Sequence, residues 1–322
     1  MKRIIPIILS LLFLAGCNVN ADYIEPEDRV IVSALGFQST ANDIMLTLET
    51  IDVSTTSNED SYSTLIITGT GKTVYEAVAD AESKAYGEIL FSQCPVILLG
   101  TDINPEQLNG ILDYCVDSDN ISLAVKLLTA DNPYSVLNNN NSKKALGYQI
   151  MNMIEYGNEV SGVTKYDTFV TITNVRENDN YAYRIPYLTM SDGLNIGGTA
   201  IYQNDGLIFI ADLPDSQLLQ MLCSELKKCT LVNENSVLNI KSTHTNIETD
   251  NQSIKVNIEI TAEDFKGLYN LPEFQEKLNN KLNYLVNGHF DVVLQLLKQN
   301  HRKISTENIS EISTEISVSE EL

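Results

Sequence analysis

The first seventeen residues constrain everything that follows them. Met1-Lys2-Arg3 gives a positive start, Ile4 to Leu14 a mostly apolar run, and Leu14-Ala15-Gly16-Cys17 a small-residue neck that ends in a cysteine. This is the lipobox arrangement. In such a signal, diacylglycerol is attached to the thiol, the peptide is cut ahead of the cysteine and the new amino terminus is acylated. Residues 1–16 therefore read as a lipoprotein signal peptide, and Cys17 as the S-diacylglycerol, N-palmitoyl cysteine that begins the mature chain. An apolar run of about 11 residues is well short of the roughly 20 that a helix needs to cross a bilayer, which argues against a span. An ordinary secretory signal needs no cysteine at the cut. Two acyl chains hold a protein stably where one is marginal, at about 0.8 kcal/mol per buried methylene. The rest of the chain is thus expected to fold outside the cytoplasm, tied to a membrane surface by lipid alone.

The sequence after the cysteine is rich enough to do this. Of 322 residues 43% are hydrophobic, with 15 Tyr and 8 Phe, which suits an ectodomain of more than one domain. Acidic residues outnumber basic ones 43 to 21, a formal charge of -22. Nucleic acid is a poor partner for such a surface, because neutralising phosphates needs clustered Lys and Arg. Anionic headgroups would repel it as well, so the lipid must do the anchoring. Cys94, Cys115, Cys223 and Cys229 allow three disulfide pairings, yet each lies in or beside an apolar segment and favours a buried thiol. No Cys-x-x-Cys or Cys/His spacing points to a metal.

Taken in order, Asn18 to Asp28 is a polar tether. Arg29–Phe37 and Ile44–Val53 read as a hairpin, and Thr64–Thr68 as a further strand. Gly69-Thr70-Gly71-Lys72-Thr73 resembles the end of a phosphate-binding loop, but Ile66 stands where that loop needs a glycine. The bland reading is a capping box made by Thr73 and Glu76. A helix follows with Val74, Ala77, Val78, Ala81, Ala85 and Ile89 on one stripe. Val96–Gly100 is wholly apolar and reads as a buried strand. Asn104 as N-cap and Pro105 open a helix whose Leu108, Ile111, Leu112 and Cys115 share a face, and Ser122–Ala130 returns as a strand. Asn138–Asn141 is an exposed loop.

Beyond it, Lys144–Tyr156 predicts a helix, and Thr168–Val175 and Tyr181–Leu188 predict paired strands. Thr199–Tyr202 and Leu207–Ile210 form a hairpin about Gln203–Gly206, and Asp215 caps a helix bearing Leu218, Leu219, Leu222, Cys223 and Leu226. Ile254, Val256, Ile258 and Ile260 line one side of a strand at Ser253–Ala262 that pairs with Val237–Ile247. From Pro272 one long helix carries Phe274, Leu278, Leu282, Leu285, His289, Val293 and Leu296 over that sheet. After Lys303 the low-complexity ISTENISEISTEIS reads as disorder, and its deletion is expected to leave folding intact. The expected fold class is α+β and multi-domain, with mixed sheets packed by helices: an N-terminal α/β-like unit and a C-terminal antiparallel sheet plus long helix. The expected divisions are 1–16, 17–28, 29–195 with room for a subdivision near 138–145, 196–302 and an acidic tail at 303–322.

No catalytic constellation emerges. His244, His289 and His301 have no metal-ligand spacing, no G-x-S-x-G supplies a nucleophile, and no carboxylate pair stands out among so many. No catalytic residue, cofactor or metal ligand is assigned, and a non-enzymatic protein is expected.

In their order and spacing these segments resemble the Ger(x)C family of spore-germination lipoproteins, the C subunits of germinant receptors. The resemblance is carried by the lipobox at Cys17, VIVSALGF at Val30–Phe37, the G-x-T-x-x-E-A turn and helix at Gly71–Ala77, VILLG at Val96–Gly100 with ILDYCVDS after it, and GTAIYQNDGLI at Gly198–Ile208. It departs from the family at Gln38, where an acidic residue is usual, and in the acidic tail, which stands where the family has a final strand. The resemblance implies a non-enzymatic α+β lipoprotein on the outer face of the spore inner membrane. There it would work with two integral-membrane partners, the A and B subunits, in the response to small nutrients. The competing class is an extracytoplasmic solute-binding lipoprotein, which would show two similar α/β lobes.

Overall fold

The computed structural model describes residues 29–320 apart from 42, 53–62, 119–120, 140–143, 161–165, 192, 224–225, 227, 234, 251, 302–303 and 305–308. Cys17, its signal peptide, the 17–28 tether and part of the predicted 138–141 loop lie outside the described residues.

A first sheet is built from β1 (Arg29–Thr40), β2 (Asp43–Asp52), β3 (Ser63–Gly71), β4 (Glu88–Leu90), β5 (Val96–Gly100), β6 (Lys126–Ala130), β7 (Ala182–Thr189), β8 (Asn195–Gln203) and β9 (Gly206–Asp212). Its order is β3-β2-β1-β5-β6-β7-β8-β9, with β4 beside the first residues of β1. The middle is parallel, from β1 through β5 and β6 to β7, and antiparallel hairpins extend it at both sides. A parallel middle needs cover on both faces. One face is covered by α1 (Val74–Glu82), α2 (Pro105–Asp117) and α5 (Phe169–Val175), the other by α3 (Pro133–Asn138) and α4 (Leu146–Val160). This is why every residue of β5 is buried. Residue 195, where two domains were expected to meet, is the first residue of β8, and the sheet runs on past it to Asp212.

The second sheet has the order β10 (Cys229–Asn233), β11 (Ser236–Thr249), β12 (Ser253–Lys266), β13 (Glu311–Glu320). The alternation of β12 holds: Ile254, Val256, Ile258 and Ile260 are buried. They pack with α6 (Leu213–Cys223), α7 (Leu271–Gly288) and α8 (Phe290–Asn300) in one core, which also takes Ala182, Ile201 and Ala211 from the first sheet.

Five expectations are corrected. Thr168–Val175 is not a strand: the Thr168 hydroxyl accepts from the Thr171 amide and starts α5, and the buried Phe169 and Ile172 stand three apart. Its β-branched residues mimic strand composition, but three-residue spacing of the buried pair decides. The stripe from Val74 ends with the helix at Glu82, and Ile89 belongs to β4. The strand expected from Ser122 begins at Lys126, because a turn closes at Val125 N–H to the Ser122 carbonyl. The start of α6 is capped by Asp212, which accepts from the Asp215 amide at 2.9 Å, while Asp215 pairs with Lys281. The single long helix is two, interrupted at His289, where φ is -132° and ψ 38°.

The largest correction is at the chain end. Residues 303–322 were expected to be a disordered tail, yet ten of them form β13, in unbroken parallel register with β12 from Ser253↔Glu311 to Ala262↔Glu320. Its Ile312 and Ile316 are buried, and its outer edge is held by amide side chains of α7. The Asn279 side chain takes both the N–H and the carbonyl of Ile316, at 2.6 and 3.1 Å. Gln275 accepts from the Val318 amide, and Asn283 accepts from the Thr314 hydroxyl. An exposed edge is thereby closed by a helix. A strand therefore stands where the acidic tail was expected. Removing residues 310–322 is expected to lower stability by about 3–6 kcal/mol, from two buried isoleucines at roughly 1.5–3 kcal/mol each. A thermal melt followed by circular dichroism reads this, and an unchanged midpoint would contradict it.

Candidate functional site

The glycine turn between β3 and α1 was the one sequence feature resembling a ligand loop. A Cβ on Gly69 would stand 2.0 Å from the Ala77 carbonyl oxygen, so the turn is pressed onto the helix. Its amides are already used. Thr70 N–H donates to Asp80 at 2.8 Å, Lys72 N–H donates to Glu76 at 2.8 Å, and the Thr73 hydroxyl accepts from Glu76 N–H at 3.2 Å. Carboxylates of the chain itself occupy the place a phosphate would take. Hydrogen bonding from Lys84, then the Thr70 amide, holds the Asp80 carboxyl below its ordinary range. Beside the turn, a cleft of about 410 Å³ lies between the starts of α1 and α2, lined by Ile44, Lys72, Tyr75, Asn104 and Gln107. The start of α2 is closed by the expected cap: Asn104 Oδ1 accepts from the Gln107 amide, and Gln107 Oε1 from the Asn104 amide.

Glu49 of β2 is fully buried. Its Oε1 accepts from Leu146 N–H at 2.8 Å, and its Oε2 from Gly147 N–H at 3.0 Å and the Ser33 hydroxyl at 2.7 Å. The charge therefore sits on the amino-terminal end of α4, where backbone amides and the helix dipole favour an anion. Position 147 must be glycine, since a Cβ there would come 1.7 Å from the Ser33 carbonyl oxygen.

A second polar cluster ties the first sheet to its helices. Arg176 Nε donates to Asp205 at 3.1 Å, and Nη2 donates to Asp113 at 3.1 Å and to Asn109. Asp205 sits in the two-residue turn between β8 and β9, where Asn204 and Asp205 both have positive φ, as such hairpins require. The Tyr183 hydroxyl donates to Asp205 at 2.9 Å, and the rings of Tyr181, Tyr183 and Tyr202 stack at 6.3 and 5.2 Å between centroids. Burial pushes the Tyr202 hydroxyl up to about 12 and Tyr183 well above its ordinary value, so both are neutral.

The remaining candidates stay apart. Cys94, Cys115, Cys223 and Cys229 are free and buried. His289 stacks on Phe209 at 3.7 Å, with its basicity lowered by desolvation, whereas the His301 ring meets the Leu222 carbonyl at 2.9 Å. Among the described residues no three His, Cys, Asp or Glu are placed to hold a metal. Every buried polar group described above is engaged in joining elements of the fold. Sequence reasoning missed both Glu49 and the Arg176–Asp205 pair, because their partners lie far along the chain; only the Asn-Asp turn signal pointed at one of them.

Replacing Glu49 with Gln turns one acceptor into a donor facing backbone amides, which is expected to cost about 1–3 kcal/mol. Urea titration of the variant reads the loss; an unchanged midpoint would show the pocket to be wet. Burial pushes the thiols of Cys94, Cys115 and Cys229 up to about 12. Since alkylation needs thiolate, these three are expected to resist iodoacetamide in the native protein even at pH 8–9, near the ordinary thiol pKa of about 8.5, and to react on denaturation. Mass spectrometry of the labelled chain decides this.

The family described as "Spore germination protein N-terminal domain" matches residues 22–190, more than half of the chain, from the tether through β7. The "Prokaryotic membrane lipoprotein lipid attachment site" matches residues 1–18, and no described helix is long and apolar enough to cross a membrane. No curated protein matches the chain. A solved structure titled "Crystal Structure of the GerBC protein" is similar over 89% of this chain and 96% of that one, at 16% identity and a TM-score of 0.44. The lipid attachment signal and the germination domain directly after it assign this chain to the Ger(x)C family of membrane-anchored spore-germination lipoproteins.

Proposed function

We propose that the chain is the C subunit of a spore germinant receptor. It is held on the outer face of the spore inner membrane by diacylglycerol and palmitoyl groups on Cys17, and it acts there with the integral-membrane A and B subunits. In this role it is required for nutrient-triggered germination and does no chemistry of its own. The observation that carries the reading is continuity: the germination domain starts at residue 22, four residues after the attachment signal ends at 18. The geometry supports a scaffold, since Glu49, Arg176 and Asp205 all join elements of the fold to one another.

Cys17→Ala tests it, because the lipidation and cleavage steps act on the thiol and nothing else in the signal can replace it. The variant is expected to keep its signal peptide, take up no acyl label and fail to support nutrient germination, with the fold unaltered because β1 begins only at Arg29. A Cys17→Ala chain that is acylated, migrates as mature and germinates normally refutes the proposal. Detergent pull-down from spores is expected to bring two integral-membrane proteins with it; recovery of a transporter permease instead would favour the solute-binding reading.

A further inference from the structure

We infer that the chain rests on the bilayer by one defined edge, the edge at which the parallel strands of the first sheet begin, with Tyr86 and Leu123 at the headgroup interface. The inference depends on the Cys17 anchor proposed above and adds the orientation. β1, β4, β5 and β6 run parallel, so the chain enters each from the same edge. The tether arrives there too: Arg29 opens β1 and pairs with Glu88, the first residue of β4. The twelve residues 17–28 span at most about 40 Å. β1 has 12 residues and is itself about 40 Å long. To bring the opposite edge down, the tether would have to run fully stretched along the whole strand. The near edge needs no such extension.

That edge also carries apolar side chains which the cores leave outside. The loop from α1 to β4 exposes Tyr86 at 53%, and the loop from α2 to β6 exposes Leu123 at 52%. Leu65, near the start of β3, and Val116, near the end of α2, are exposed at the same edge. The two tips project from anchored loops, because Ile89 and Phe91 after the first, and Ile121 and Val125 on either side of the second, are buried in one core. Tyrosine suits a headgroup interface through its apolar ring and polar end, and leucine through its apolar bulk. The charges at this edge are mixed: Arg29, Lys84 and Lys126 stand among Asp52, Glu82, Glu88 and Asp117, so contact there rests on the apolar tips and the lipid anchor.

The chain has no tryptophan, so one introduced singly is an unambiguous reporter. Tyr86→Trp, Leu123→Trp and, as a control on α7, Tyr284→Trp, whose site is 82% exposed, are made in the full lipidated chain. Each is reconstituted into phosphatidylcholine vesicles with lipid brominated near the headgroup end of its acyl chains. Emission from positions 86 and 123 is expected to shift to the blue on reconstitution and lose intensity to bromine, while position 284 does neither. Chains that float with the vesicles but show 86 and 123 unquenched, or 284 quenched in their place, overturn the orientation and leave the anchor standing. Chains that do not float overturn the anchor and the orientation with it.

Discussion

The Glu49 carboxylate sets the terms on which the first sheet is covered. Removing a carboxylate from water costs several kcal/mol, and the cost is offset only if strong donors replace the solvent. Here they come from two backbone amides at the start of α4 and from the Ser33 hydroxyl. Ser33 can take part because the pairing of β1 with β2 shifts between Val32 and Ala34, leaving it as the extra residue of a bulge opposite Glu49. The helix must then approach β1 as closely as Gly147 allows, which fixes how Leu146, Ile150 and Ile154 meet Leu98 and Leu128 on that face. One charge thus determines a bulge, a glycine and the seat of a helix.

What was legible in the sequence was local. VILLG read as a buried strand because burial on both faces leaves no polar alternation, and Asn104-Pro105 read as a helix start because cap and first turn lie within a few residues. The alternation of β12 was equally plain. The Glu49 pocket was hidden, since a glutamate in a strand reads as a solvent-facing residue when its partners stand almost a hundred positions later. For α5 the composition pointed one way and the spacing of Phe169 and Ile172 the other, and the capping hydroxyl of Thr168 settles it. β13 was hidden for both reasons: every second residue is Ser or Glu, and its partner strand lies more than fifty residues upstream.

The two sheets are covered differently. The first buries a parallel middle between helices and joins its elements through enclosed ion pairs. In the second, helices cover one face, and the other carries Lys255, Glu259, Ser313 and Glu315 into solvent. The core under α7 and α8 accepts residues from β7, β8 and β9, so the units are continuous in packing as well as in chain.

The amide grip of Gln275 and Asn279 on β13 has a consequence for how the molecule comes into being. These side chains recognise the peptide groups of Ile316 and Val318, and the strand they clasp follows α7 and α8 in the chain. A polypeptide made from its amino terminus can complete the first sheet while the second still waits with the flank of β12 bare. The strand that closes the second sheet leaves the ribosome after both the strand it pairs with and the helix that grips it, so a chain halted ahead of residue 311 has the grip in place and nothing to hold.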